Sequence, residues 1–328
     1  MKAFIRSVGS YVPKQVITNH DLAQQIDTSD EWIYSHTGIR KRHIASPTEA
    51  ASDLAAKAAE SAFKDSGITP NDIDLILVAT STPDYQSFPS TACIVQDKIG
   101  AEHAGAMDLT AACTGFVYAI ETAKAFIESG SAQHVLVIGS EIFSSILDWK
   151  DRNTCVLFGD GAGAAIVSAA AEDSDSRILS SYLRSQGSGS TALYRPVGGS
   201  KSPLSLSAPP APDMFVKMDG RKVYMFAVRV LVEVIEKLLS SHQLELKDID
   251  YIVPHQANLR IIDAAAKRIG LPLDKFYLNM DEYANTSAAS IPIALHEMQK
   301  KQLLSRGMTV LFIGFGAGLA YGGNIIKW

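Results

Sequence analysis

Two stretches of this chain occur twice. Asn71-Asp-Ile-Asp-Leu-Ile-Leu-Val78 returns as Lys247-Asp-Ile-Asp-Tyr-Ile-Val253, and Val135-Leu-Val-Ile-Gly139 returns as Val310-Leu-Phe-Ile-Gly314. The first pair is offset by 176 residues and the second by 175, a spacing that unrelated segments do not keep. Each run is short and apolar, with β-branched residues, the pattern of a strand buried on both faces. Each Asp-Ile-Asp run follows an amphipathic helix-like segment, residues 52–66 and 223–241. Strands alternating with helices give α/β layers. The expected architecture is two similar halves, each a sheet with helices, packed together.

A chain of 328 residues that is 47% hydrophobic has ample material for such a core. Residues 113–129 are largely small or apolar on every side and end at Gly130, which predicts a central helix with a glycine cap. Residues 198–212, rich in Ser, Pro and Gly, predict an exposed, mobile loop. Phe158-Gly-Asp-Gly-Ala-Gly-Ala-Ala165 and Gly314-Phe-Gly-Ala-Gly-Leu-Ala-Tyr-Gly-Gly323 read as glycine-rich turns. Neither has P-loop or dinucleotide-binding spacing.

Charge and cysteine content narrow the function. A net charge of -5 without a long Lys/Arg stripe argues against nucleic acid as partner. No apolar stretch reaches membrane-spanning length, and charge interrupts the first residues before a signal-peptide core forms. Three scattered cysteines make neither a disulfide framework nor zinc-ligand spacing. These features predict a soluble cytoplasmic protein with reduced thiols, no metal and no membrane partner.

Cys113 lies in Asp108-Leu-Thr-Ala-Ala-Cys-Thr-Gly-Phe116, between a strand-like and a helix-like stretch. A thiol at the first helical turn faces free backbone N–H groups and the positive end of the helix dipole, and both favour thiolate. Ala111, Ala112 and Gly115 leave room for a substrate. Cys93 and Cys155, in apolar surroundings, read as small buried hydrophobes. His255 ends an apolar strand in Val253-Pro-His-Gln-Ala-Asn-Leu-Arg260, and strand ends are where sites gather in α/β proteins. Asn285, in Tyr283-Ala-Asn-Thr-Ser-Ala-Ala-Ser290, reads by itself as a cap of the following helix, with Thr286 or Ser287 sharing the job. The repeat places all three at corresponding strand ends or loops on one side of the two halves.

With these motifs in place the chain resembles the β-ketoacyl-acyl-carrier-protein synthase III family, initiating condensing enzymes of the thiolase superfamily. The resemblance runs the whole length. It rests on Asp27-Thr-Ser-Asp-Glu-Trp-Ile33, Thr37-Gly-Ile-Arg-Lys-Arg-His43, Phe88-Pro-Ser90, the cysteine run, Phe158-Gly-Asp-Gly-Ala-Gly163, Pro254-His-Gln-Ala-Asn-Leu-Arg260 and residues 284–290. It implies an α/β, thiolase-like duplicated αβαβα fold, each half with a mixed five-stranded sheet. Residues 1–172 would carry the nucleophilic cysteine, and residues 173–328 the catalytic His and Asn.

The resemblance also implies roles. Cys113 takes the acyl group of an acyl-CoA primer, with the N–H groups of Cys113 and Ala317 as oxyanion hole. Malonyl-acyl-carrier protein then loses CO2 while His255 and Asn285 hydrogen-bond the thioester oxygen, and the product is a 3-oxoacyl-carrier protein. No cofactor is implied beyond the CoA thioester as substrate. Thr28, Trp32, His36 and Arg152 would bind the nucleotide end of CoA. Phe158, Tyr224, Ala257 and Asn258 would line the pantetheine tunnel. Phe88, supplied across a homodimer interface, and Phe143 would shape the acyl pocket and favour an acetyl primer. Arg260, Lys267 and Arg268 would face the acidic carrier protein.

Three departures bear on ligand affinity: His36 where many relatives have Arg, Ala320-Tyr321 where a Thr-Trp pair is common, and Met225 where some have Lys. Two other enzyme readings share the Cys, His and Asn: a papain-like hydrolase, and a specialised relative making a polyketide, quinolone or acyl-ester product. The hydrolase lacks its cysteine signature here and does not explain the repeat. A non-enzymatic carrier-binding scaffold is the third rival.

Overall fold

The computed structural model describes residues 1–171, 174–204 and 212–328. The first sheet contains β1 (Lys2–Tyr11), β2 (Leu75–Ala79), β3 (Gly105–Leu109), β4 (His134–Ile142) and β5 (Asp160–Ala170), in the order β1-β5-β4-β2-β3. The second contains β6 (Arg177–Ser185), β7 (Tyr251–Pro254), β8 (Thr309–Gly316) and β9 (Ala320–Lys327), in the order β7-β8-β9-β6. Reversed, that order follows the first sheet strand for strand. The repeat persists in the register: Leu75 pairs with Val135 in one parallel ladder and Tyr251 with Val310 in the other.

The helices that cover and separate the sheets are α1 (Asp30–Thr37), α2 (Ala51–Phe63), α3 (Thr91–Ile99), α4 (Gly115–Glu128), α5 (Gly220–Ser241), α6 (Leu259–Ile269) and α7 (Ser290–Lys300). Phe116, Ile120 and Ile127 of α4, with Ile291, Leu295 and Met298 of α7, share one core with Val137 of β4 and Phe312 of β8. These two helices therefore form the middle layer. Helices α2 and α3 pack on the outer face of the first sheet, and α5 and α6 on that of the second. The result is the expected five-layer αβαβα stack.

The second sheet has four strands among the described residues, not the expected five. The segment answering β3 meets the sheet at one bridge, Phe276 to Ile252. Gln256 takes the places a longer ladder needs: its Nε2 donates to Tyr277 O at 3.0 Å, and its Oε1 accepts from Asn279 N at 3.0 Å. The short helical turns Leu273–Lys275 and Met280–Tyr283 close the segment at both ends. The glycine-rich runs also differ from expectation. Most of each is strand (β5, β8 and β9), and only Ala317–Leu319 is a turn between strands. Small residues suit β5 because α7 lies across it.

Gly130 caps the central helix at a positive φ of 78°, as its sequence predicts. Cys155 is fully buried, but Cys93 is exposed. The buried face of α3 carries Thr91, Ala92 and Val95, which leaves Cys93 on the other side. The boundary between 172 and 173 lies outside the described residues, as do residues 205–211 of the predicted loop.

Candidate active site

Cys113 occupies a single helical turn, Ala112–Thr114, that feeds directly into α4. The preceding Ala112 holds φ at +46°, an uncommon conformation for a residue with a Cβ and one that clusters at functional sites. The thiol is 4% exposed. Gly316 of β8 packs against it so closely that a Cβ there would lie 2.8 Å from Cys113 Cβ. Burial pushes the Cys113 thiol up to about 12; the nearby Glu141 carboxylate adds to the rise and a hydrogen bond with Ser287 opposes it. The thiolate expected from helix position alone is thus not the resting form, because desolvation outweighs the helix terminus.

His255 follows β7 and extends its ladder, its N–H donating to Ile313 O at 2.7 Å. The ring is 1% exposed and stands edge-on to Phe315, 5.4 Å between centroids. Burial pushes its pKa down to about 3, so the imidazole is neutral at physiological pH. Its Nδ1 lies 2.8 Å from Ser290 Oγ, which in turn lies 2.9 Å from Ser287 O. One hydroxyl proton serves both acceptors. When Ser290 donates to Nδ1, Nε2 carries the imidazole proton; when it donates to Ser287 O, Nδ1 does.

Asn285 is fixed through its backbone: its N–H donates to Leu157 O at 2.9 Å and its carbonyl accepts from Gly159 N at 3.0 Å. Its side-chain oxygen accepts from Ser287 N at 2.9 Å. That bond uses Oδ1 as the acceptor and leaves Nδ2, a pure donor, on a residue that lines a cavity with Cys113 and His255.

Ser287, not singled out by its sequence context, links the three residues. Besides its bonds to Asn285 and Ser290, its Oγ donates to Glu141 Oε1 at 2.9 Å. It too has a positive φ, +50°. The turn carrying it, Ser287–Ala289, packs on the Cys113 turn and on β4. A Cβ on Gly139 of β4 would stand 2.2 Å from Ala288 O. Gly139→Ala is expected to displace that turn, costing about 1–3 kcal/mol of stability by chemical denaturation and lowering turnover with it.

Two cavities meet at Cys113. One is lined by Cys113, His255, Asn285, Phe158, Tyr224, Ala257 and Asn258, with Leu157, Met218, Phe226 and Phe315. The other is mostly apolar, lined by Cys113, Phe143, Ile146, Leu193, Val216 and Ala317 among others. Phe143 stacks on Phe158 at 4.6 Å and so stiffens the wall between them. A third, outer cavity shares Leu157, Met218, Gly220 and Asn258 with the first and reaches Trp32, His36 and Arg152. Serine-capped α1 puts Trp32 and His36 four residues apart, so their rings stack at 4.5 Å. The Arg152 guanidinium lies 4.9 Å from the Trp32 ring.

Other expected residues stand apart. Thr28 lines none of these cavities; its hydroxyl is buried without a hydrogen-bond partner. Phe88 is 85% exposed and does not enter the pocket of its own chain. Arg260, Lys267 and Arg268 are exposed on α6; Arg260 donates to Ser35 O at 2.9 Å, and Lys267 pairs with Asp263 at 2.7 Å. Of the departures, His36 Nδ1 lies 2.7 Å from Trp32 O, which ties up one ring nitrogen. Tyr321 is buried edge-on to the tunnel residue Phe226 and donates to Glu233 at 3.1 Å. Met225 is 64% exposed.

Comparison with known proteins identifies the chain. Residues 107–187 match the family described as 3-oxoacyl-[acyl-carrier-protein] synthase III, and residues 239–328 match the C-terminal region of the same family. The β-ketoacyl-[acyl-carrier-protein] synthase III of Clostridium acetobutylicum is 50% identical over 99% of this chain and 98% of its own length. The chain belongs to the β-ketoacyl-acyl-carrier-protein synthase III family. The enzyme of that name from Caldanaerobacter subterraneus is 49% identical, covering 99% and 98% of the two chains. The crystal structure of 3-oxoacyl-[acyl-carrier-protein] synthase III from Aquifex aeolicus superposes with a TM-score of 0.92 at 41% identity, covering 99% of this chain and all of that one. As a synthase III it is an acyl-transferring condensing enzyme that joins an acyl-CoA to malonyl-acyl-carrier protein at the start of fatty acid synthesis. Hydrolase, scaffold and specialised-product readings give way to that one.

Proposed function

We propose that Cys113 carries the acyl group, that acetyl is the preferred primer, and that His255 and Asn285 activate malonyl-carrier protein. The observation that carries this reading is the position of Cys113, where a tunnel bearing two neutral donors meets a small apolar chamber. In the first half-reaction the Cys113 S–H bond breaks as sulfur attacks the thioester carbonyl, and the N–H groups of Cys113 and Ala317 stabilise the oxyanion. The carbon–sulfur bond to CoA then breaks, the proton ending on the CoA sulfur. CoA leaves through the tunnel past Phe158, Tyr224, Ala257 and Asn258. Its nucleotide end rests against Trp32, His36 and Arg152, with Thr28 nearby.

In the second half-reaction malonyl-carrier protein enters by the same route. Loss of CO2 leaves an enolate whose oxygen accepts from Asn285 Nδ2 and His255 Nε2. Neutral donors in a dry pocket suit a transient anion, since they stabilise it without protonating it outright. The enolate carbon attacks the acyl-sulfur carbonyl, Cys113 is released, and the product is a 3-oxoacyl-carrier protein. For His255 to donate from Nε2, Ser290 must donate to Nδ1. Ser290→Ala is therefore expected to slow malonyl decarboxylation roughly ten-fold while sparing acyl loading, as single-turnover assays of the two steps would measure.

An open sheet edge supports a homodimer. Strand β3 pairs with β2 alone among the described strands, and Met107 on it is exposed, as are nearby Tyr85 and Phe88. An unprotected edge strand beside exposed aromatics suits pairing with a second copy about a two-fold axis. Phe88 would then close the acyl chamber of the opposite subunit. Arg260, Lys267 and Arg268 are exposed on α6, whose Ile261 lines the tunnel, and are assigned to the carrier protein. No helix among the described residues is long and apolar enough to cross a membrane, and we place the enzyme in the cytoplasm with its CoA and carrier substrates.

Steady-state comparison of acetyl-, isobutyryl- and octanoyl-CoA tests the primer. The expected order is acetyl first and octanoyl unused; preference for octanoyl overturns the assignment. Phe88→Ala is expected to shift that order toward longer primers.

A further inference from the structure

The run Phe158-Gly-Asp-Gly-Ala-Gly163 carries an aspartate that the reaction above leaves unused. Asp160 opens β5 opposite Ile142, the last residue of β4, and is fully buried. Its Oδ1 accepts from Ser144 N at 2.9 Å, and its Oδ2 accepts from Ser144 Oγ at 2.5 Å and from Ala45 N at 2.8 Å. Ser144 belongs to the helical turn Phe143–Ile146, which β4 feeds directly. Phe143 and Ile146 line the apolar chamber beside Cys113, and so does Val216, whose N–H donates to Ile146 O at 3.0 Å. Asp160 also lies two residues after Phe158, whose ring stacks on Phe143. One buried carboxyl is therefore joined to both rings of the wall between tunnel and chamber, to Phe143 through its neighbour's hydrogen bonds and to Phe158 through the backbone.

We infer that Asp160 sets the width of the acyl chamber by pinning the 143–146 turn, which makes it a positioning residue for primer choice. The inference rests on the reading of that chamber as the acyl site. Removing the carboxyl leaves Ser144 N and Ala45 N without this acceptor, and the turn relieves that penalty only by moving toward other acceptors or water. Phe143 and Ile146 move with it. An apolar pocket separates acyl groups by fit alone, and one methylene is worth about 10–200-fold where the walls are fixed. Isobutyryl carries two more carbons than acetyl, so a wall that yields admits it.

Packing alone does not fix the turn. The cluster around Phe143 contains Ile146, Leu147, Phe158 and Val216, all apolar, and apolar contacts carry no direction. Two further side-chain bonds of the segment, Ser145 Oγ to Ile142 O at 2.7 Å and Trp149 Nε1 to Ser144 O at 3.3 Å, stay within residues 142–149. Asp160 ties residue 144 to β5 and, through Ala45, to the chain leaving the short strand Lys41–Ile44. The other buried carboxyl nearby, Glu141, is occupied by Ser81, Thr82 and Ser287.

The test is single-turnover loading of the full-length enzyme by acetyl-CoA and by isobutyryl-CoA, read by mass spectrometry in the wild type, Asp160→Ala and Phe143→Ala. The readout is the ratio of the two rates, because general damage to the fold slows both alike. The acetyl preference of the wild type should fall about ten-fold in Asp160→Ala, the scale of one misfitted methylene. An unchanged or larger ratio there, with a changed one in Phe143→Ala, overturns the proposal and leaves the chamber reading intact. An unchanged ratio in both variants contradicts the chamber reading and the proposal with it. A fall in Asp160→Ala without one in Phe143→Ala overturns the route through that turn. Should Asp160→Ala fail to fold, Ser144→Ala decides, since it removes one of the three hydrogen bonds and leaves the carboxyl its two N–H donors. Its ratio should fall in the same direction, and an unchanged ratio overturns the proposal.

Discussion

Cys113→Ala is expected to abolish acyl loading and to lower condensation by roughly 10^4-fold or more, the scale seen when a covalent nucleophile is removed. The sulfur stands where the two cavities join, so no neighbouring side chain replaces it. Cys93 is exposed on α3 and Cys155 lies in a separate cluster with Leu22, Ile33 and Val156. The fold should survive, because alanine keeps the Cβ that packs against Gly316. The same variant should still decarboxylate malonyl-carrier protein, since His255 and Asn285 are held by Ser290, Ser287 and the 157–159 backbone rather than by the cysteine. Loss of both activities together would mean that Cys113 organises the donors, contrary to this account.

The converse holds for the donors. Asn285→Ala and His255→Ala are each expected to lower malonyl decarboxylation by about 10^2–10^3-fold, the usual cost of one oxyanion donor. Acyl loading should fall by less than ten-fold, as judged by the mass of the acylated protein after brief incubation. Asn285→Asp sharpens the test: it is nearly isosteric and keeps an acceptor for Ser287 N, but replaces the Nδ2 donor with a second oxygen. It should be as inactive in decarboxylation as Asn285→Ala. With its pKa already near 3, His255 stays neutral across the assay range, so decarboxylation should show no loss attributable to imidazole titration between pH 6 and 8.

The duplicated architecture was legible because buried parallel strands are written as apolar runs whose spacing survives duplication. The offsets between Leu75 and Tyr251 and between Val135 and Val310 reappear as identical ladder pairings. The fifth strand of the second sheet stops after one bridge because Pro254, which has no N–H, cannot donate to Tyr277 O, and the Gln256 side chain takes the backbone partners at 277 and 279 instead. The proline was a local signal; the side chain that replaces it was not. The exposure of Cys93 was missed for a related reason: which face of α3 meets the sheet is set by packing, and an apolar neighbourhood in sequence did not indicate it.

Within the site, Cys113, His255 and Asn285 were readable as polar residues at strand ends and turns in otherwise apolar or small-residue surroundings. Their supporting groups were not. Ser287 and Ser290 were visible only as members of a motif, and Glu141 was not read at all. Ser140-Glu141 directly after Val135-Leu-Val-Ile-Gly139 did carry a usable signal, because an acidic residue continuing a fully buried strand needs partners. The direction of the Cys113 pKa shift was also beyond sequence reasoning, since the helix start is local but burial by β8 and the 287–289 turn is not.

Acyl carriage by Cys113 is tested most directly by mass spectrometry of the enzyme before and after malonyl-carrier protein is added to a sample preincubated with acetyl-CoA. A single acetyl group should appear on the peptide containing Cys113 and disappear on addition of malonyl-carrier protein, with release of CO2 and formation of a 3-oxobutyryl carrier. An acetyl group on any other residue, or one lost to water without carbon–carbon bond formation, would contradict it.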